Sequence, residues 1–120
     1  MTAERPWRGM GRYRMTAPPP LPPNEAALRE VALIAAEVEA IGQRLKVAPG
    51  DALDKAWRLQ RRHGPIELIS AYHRLANANA AVFRARELAQ GGRSIETLAF
   101  RLKQARDLAV EARVAMMKVT

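Results

Sequence analysis

The chain has 120 residues, about one domain's worth, of which 48% are hydrophobic but only 5% aromatic, and it contains no cysteine. Disulfides, thiolate metal sites and cysteine nucleophiles are thereby excluded, and the thin, alanine-rich core predicts folding completed by self-association or by a partner. Twenty Lys and Arg against twelve Asp and Glu give a formal net charge of +8, which favours anionic partners.

No apolar run approaches the ~20 residues needed to cross a bilayer. The N-terminal arginines lead into no apolar stretch of the kind a secretory signal carries. The expected location is cytoplasmic, with no membrane partner.

Residues 1–23 read as an extended, disordered arm, because "RPWRGMGRYRMTAPPPLPP" has arginine, glycine and proline but no period. Arg5, Arg8, Arg12 and Arg14 interleave with Trp7 and Tyr13, a mixture suited to phosphate attraction and base stacking on single strands. A solvated tail is the other reading. "MTA" occurs at Met1 and again at Met15, and initiation at the second would remove every arm arginine.

The helical domain is expected over 24–120, as an all-α bundle built on a long antiparallel hairpin. The first helix is predicted at about 24–47, with Asn24 as its N-cap and Pro49-Gly50 as its stop. Leu28, Val31, Ala35, Val38, Gly42 and Leu45 repeat at helical spacing, and Ile34 and Ile41 widen the stripe. This helix is expected to lie on the hairpin or on a neighbouring subunit.

The second helix is predicted at about 51–63, capped by Asp51 and Asp54 and ended by Gly64. Its inner side is expected to be Leu53, Ala56 and Trp57, with Gln60. The stretch "KAWRLQRRHGP" gathers Lys55, Arg58, Arg61 and Arg62. Asp51 and Asp54 stand four residues before Lys55 and Arg58, the spacing of favourable helical ion pairs. Arg61 and Arg62 have no such partner. They are candidates for phosphate contact, or they simply complement the helix C-terminus. The helix-stop-helix sequence is a weak match to a DNA-reading motif, because "PIELISAYHRL" is apolar where a reading helix is polar.

The third helix is predicted at about 65–90, with Pro65 and Glu67 in its first turn. Leu68, Tyr72, Leu75, Val82 and Ala89 form one row, widened by Ile69, Ala76 and Phe83. Asn79 falls inside this face, where it either fixes register or touches water at the seam's edge. Gly91-Gly92 turns the chain and Ser94 caps the fourth helix, predicted at about 94–118. There Ile95, Leu98, Leu102, Ala105, Ala109, Ala112 and Met116 form a 3-4 seam, of the hairpin or of an oligomer, whose alanines allow close helix approach.

Chemistry is hard to place. His73 has no histidine or carboxylate four residues away, the spacing of a helical metal site, and Glu67, four residues after His63, is separated from it by the Gly64-Pro65 stop. Gly91-Gly92 is not followed by the Lys-Ser/Thr of a phosphate loop. Neither a metal nor a cofactor is implied, and an enzyme is not expected. The reading is an oligomeric helical assembly protein with loose, non-sequence-specific DNA contact through Arg61, Arg62, Arg58, Lys55 and the arm residues Arg8, Arg12 and Arg14. Its plan, a helical hairpin with basic flanks, resembles that of phage-type DNA-packaging adaptors such as small terminase subunits, in architecture alone. The alternative is a protein-protein adaptor, chaperone or regulator with a helical partner and no nucleic-acid role.

Overall fold

The computed structural model describes residues 22–91 and 95–120. The arm arginines Arg8, Arg12 and Arg14 and the Ser94 cap lie outside them. Every regular element among the described residues is helical: α1 (Glu25–Leu45), a 3-10 turn (Pro49–Asp51), α2 (Ala52–Arg61), α3 (Ile66–Gln90) and α4 (Ile95–Met117).

α1 starts where the sequence predicts. The Asn24 side chain accepts a hydrogen bond from the Ala27 backbone N–H at 3.0 Å, satisfying one of the orphan donors of the first turn. The helix ends two residues early, at Leu45. Lys46 turns left-handed (φ 59°, ψ 44°), its N–H bonding the Gln43 carbonyl while Val47 N–H bonds Gly42. This pair of crossed bonds is the Schellman ending. α2 ends the same way. His63 N–H reaches the Gln60 carbonyl and Gly64 N–H reaches Leu59, at 2.8 Å. The left-handed residue is His63 (φ 55°), not the expected Gly64.

Three long helices share one core. α1 buries residues 27, 31, 34, 38, 41 and 45; α3 buries 71, 75, 78, 82, 85 and 89; α4 buries 98, 102, 105, 109, 112 and 116. Each set steps by four and three, the spacing of a coiled-coil seam. The α3 and α4 rows are mostly alanine, so their backbones approach closely and make the most extensive helix pairing in the molecule. α1 lays Val31, Ile34, Val38, Ile41 and Leu45 over that alanine interface and supplies more of the large buried side chains than either other helix. It therefore belongs to this chain's own core, with its buried row turned so that Leu28 and Ala35 are only half-buried.

Polar contacts fix the directions. Asn24 N–H donates to the Ala89 carbonyl at 2.8 Å and Tyr72 Oη to the Leu45 carbonyl at 3.4 Å, so α1 and α3 are antiparallel. Arg74 meets Glu111, which makes α3 and α4 antiparallel as well. α1 and α4 then run parallel, and Arg106 and Arg113 pair with Glu30 and Glu37, each couple seven residues apart. Placed beside the seam, these pairs fix register in the manner of flanking charges in a parallel coiled coil. All are partly exposed, so each contributes only ~0.2–1 kcal/mol.

α2 packs on the first half of α3 through Ala52 and Ala56, both fully buried, with Leu59 half-buried. Leu53 and Trp57, expected inside, are about half exposed. Small side chains let α2 sit close to α3, and that close approach leaves no room for an indole. Trp57 is displaced to the flank, where its ring meets His73 edge-on with centroids 6.1 Å apart. Phe83, also expected inside, is exposed because alanines occupy the seam beside it.

Candidate interaction surfaces

The basic stretch separates into used and unused charge. Arg58 pairs with Asp54 at 2.7 Å, as its spacing predicts. Lys55 does not pair with Asp51. Its Nζ donates to the Lys46 carbonyl at 3.4 Å and lies 5.6 Å from the Tyr72 ring centroid. It thus ties α2 to the left-handed turn after α1, a role reinforced by cation–π attraction. Asp51 stands at the N-cap position of α2, but its side chain makes no capping bond. Together Lys46, Asp51, Asp54, Lys55 and Arg58 line a polar cleft of about 440 Å³ in which the two signs nearly balance.

Arg61 and Arg62 remain. Both side chains are exposed, and among the described residues neither makes an ion pair. They stand at the C-terminal end of α2, where cations also favour the helix dipole by ~0.3–1 kcal/mol. Of the four described residues expected to touch nucleic acid, Lys55 and Arg58 are engaged within the fold, and Arg61 and Arg62 are not.

The seam residues Leu98, Leu102, Ala105, Ala109, Ala112 and Met116 are all covered within the one chain. Asn79 lies half-buried at the margin of its row. Contact with another molecule has to use other residues, and the structure exposes a set that the sequence pattern obscured.

α4 carries a second apolar row on its outer side. Val110, Val114 and Met117, spaced four and three, are 45%, 47% and 65% exposed. Ile66, the first residue of α3, is 82% exposed and shares a cleft with Val110 and Val114 of this row. Two clefts flank it. One, about 440 Å³, runs between α3 and α4 and is walled by Ser70, Arg74, Val110, Val114 and Ala115. The other, about 510 Å³, opens towards α2 between Gln60, Ile69, His73 and Asn77. Ile66, Ser70 and Arg74 line both, so they form a ridge with a hollow on either side.

The sequence did contain a signal for this face. The second half of α4 has apolar residues on too many sides for one buried stripe, the mark of a helix covered on more than one face. No known protein family, characterised protein or solved structure matches the chain. No helix among the described residues is long and apolar enough to cross a membrane.

Proposed function

We propose that this chain is a non-enzymatic helical assembly protein that associates with copies of itself and makes loose contact with nucleic-acid phosphates at Arg61 and Arg62. The observation that carries the assembly reading is the second apolar row of α4 with Ile66 beside it. These side chains stay in water after the chain has completed its own three-helix core. A contiguous exposed apolar patch on a small basic domain is characteristic of an interaction site.

The phosphate contact rests on a separate observation, the two unpaired guanidinium groups at the end of α2. Arg58 and Lys55 contribute less than their number suggests, because both are engaged within the fold. Contact of this kind positions a duplex without reading it. A DNA-packaging adaptor is the most specific form of this reading, supported by likeness of plan alone.

Two measurements test it. Sedimentation over a range of concentration should give a mass that rises above that of one chain. DNA affinity should fall steeply with salt, and Arg61→Ala/Arg62→Ala should lower the slope of log affinity against log salt by about one for each phosphate no longer neutralised. A chain that stays monomeric defeats the assembly reading. Binding that ignores salt, or no binding in dilute salt, defeats the phosphate reading.

A further inference from the structure

We infer that the face formed by Ile66, Val110, Val114 and Met117 is a two-fold contact between two copies of this chain, α4 lying against α4. The inference rests on the assembly reading and specifies its surface and symmetry. A two-fold interface is self-complementary, so one patch must carry both a projection and the hollow that receives it. Ile66 is the projection, 82% exposed, and the α3–α4 cleft walled by Val110, Val114 and Ala115 adjoins it on the same surface.

Charge points to the same occupant. The rim of that cleft carries both signs, Glu67 and Glu111 with Arg74 and Lys118, on a chain whose formal charge is +8. Arg74 and Glu111 already pair with each other. Glu67 and Lys118 line the same cleft without an ion pair among the described residues. A two-fold axis through the cleft sets Glu67 of one copy against Lys118 of the other, twice. With two acidic and two basic groups the rim has no net charge to hold a nucleic acid or an acidic partner. A second copy matches it, Glu67 to Lys118 and Lys118 to Glu67.

The test uses the full chain. Wild type should form a reversible dimer. Ile66→Glu and Val114→Glu should each weaken association at least about a hundredfold, because symmetry counts every substitution twice and each tenfold step is small on the scale of a buried apolar side chain. Ile66 is 82% exposed, so Ile66→Glu should leave the melting curve of the monomer unmoved. Glu67→Lys should also weaken the dimer, and adding Lys118→Glu should restore it. The chain has no native cysteine, so Val114→Cys should give a disulfide-linked dimer on oxidation.

Each failure is distinct. If wild type associates and the glutamate variants associate equally well, this face is not the contact and the assembly reading stands. If wild type is monomeric throughout, both fail. If Glu67→Lys weakens the dimer and Lys118→Glu does not rescue it, the two-fold arrangement is wrong.

Discussion

Gly42 sits in the last turns of α1, where helix propensity alone favours alanine by ~1 kcal/mol. The structure predicts the opposite sign. A Cβ at this position would lie 2.6 Å from the Val47 carbonyl oxygen and 3.1 Å from Cδ of Pro49. The chain doubles back over Gly42 because Lys46 turns left-handed, and Val47 N–H is held to the Gly42 carbonyl at 2.9 Å. The clashing group is therefore turn backbone, on a residue bonded to Gly42, and not the end of a flexible side chain. Making room for the Cβ strains that hydrogen bond, at a cost of ~0.5–1.5 kcal/mol if it is lost. Overpacking against the buried Pro49 adds ~1–3 kcal/mol. Set against the propensity gain, Gly42→Ala should destabilise the fold by about 2 kcal/mol, lowering the midpoint of a domain this size by roughly 8–16 °C.

Gly50 is the matched control. It lies one residue beyond Pro49, its φ is not positive, and no atom lies within 4 Å of the Cβ it would gain. Gly50→Ala should stabilise by ~0.4–1 kcal/mol through the unfolded chain. Thermal melts by far-ultraviolet circular dichroism read both variants. If Gly42→Ala melts at or above wild type, or if the two substitutions shift the midpoint in the same direction, the close approach at Gly42 is not what holds the turn.

The two left-handed residues give a further prediction. Left-handed backbone costs an ordinary residue ~1–2 kcal/mol, offset in part by the entropy glycine loses. Lys46→Gly and His63→Gly should thus each stabilise by up to about 1 kcal/mol, whereas Lys46→Ala and His63→Ala should not. The parallel α1–α4 register makes a different prediction. A double-mutant cycle with Glu30→Ala and Arg106→Ala should return a coupling of ~0.2–1 kcal/mol that fades with added salt. Zero coupling in dilute salt would mean the pair does not hold the two helices in register.

Much of this was legible because it is local. Asn24 caps its helix through a bond three residues away, and Arg58 meets Asp54 across one turn, as spacing alone predicts. From Leu98 to Met116 the spacing of the α4 seam picks out residues that helices of the same chain cover. What failed depends on which neighbour arrives. On α2, hydrophobic bulk points to Trp57 and Leu53, yet packing selects Ala52 and Ala56 because close helix approach rewards small side chains. Gly64 drew the helix stop to residue 63, two residues past Arg61, because its presence masks the left-handed His63 before it. The seven-residue spacings of Glu30 with Glu37 and of Arg106 with Arg113 are visible in sequence. That they belong together requires knowing that α1 and α4 run parallel.

Magnitudes also decide what kind of association the outer face can support. Complete burial of an aliphatic side chain contributes ~1.5–3 kcal/mol. Ile66, Val110, Val114 and Met117 are between 45% and 82% exposed, and a two-fold pair covers each of them twice. Scaled by those exposures, the apolar gain is on the order of 10 kcal/mol, and the rim pairs between Glu67 and Lys118 add ~0.2–1 kcal/mol each. Bringing two molecules together costs about 4–15 kcal/mol in translational and rotational freedom. The surplus is small, so the dimer should be weak and governed by concentration. Added salt distinguishes this association from phosphate binding, because it screens the repulsion between two chains of charge +8 while it releases a nucleic acid from Arg61 and Arg62. Assembly that persists in salt strong enough to abolish DNA binding would assign the two properties to two separate surfaces of one small bundle.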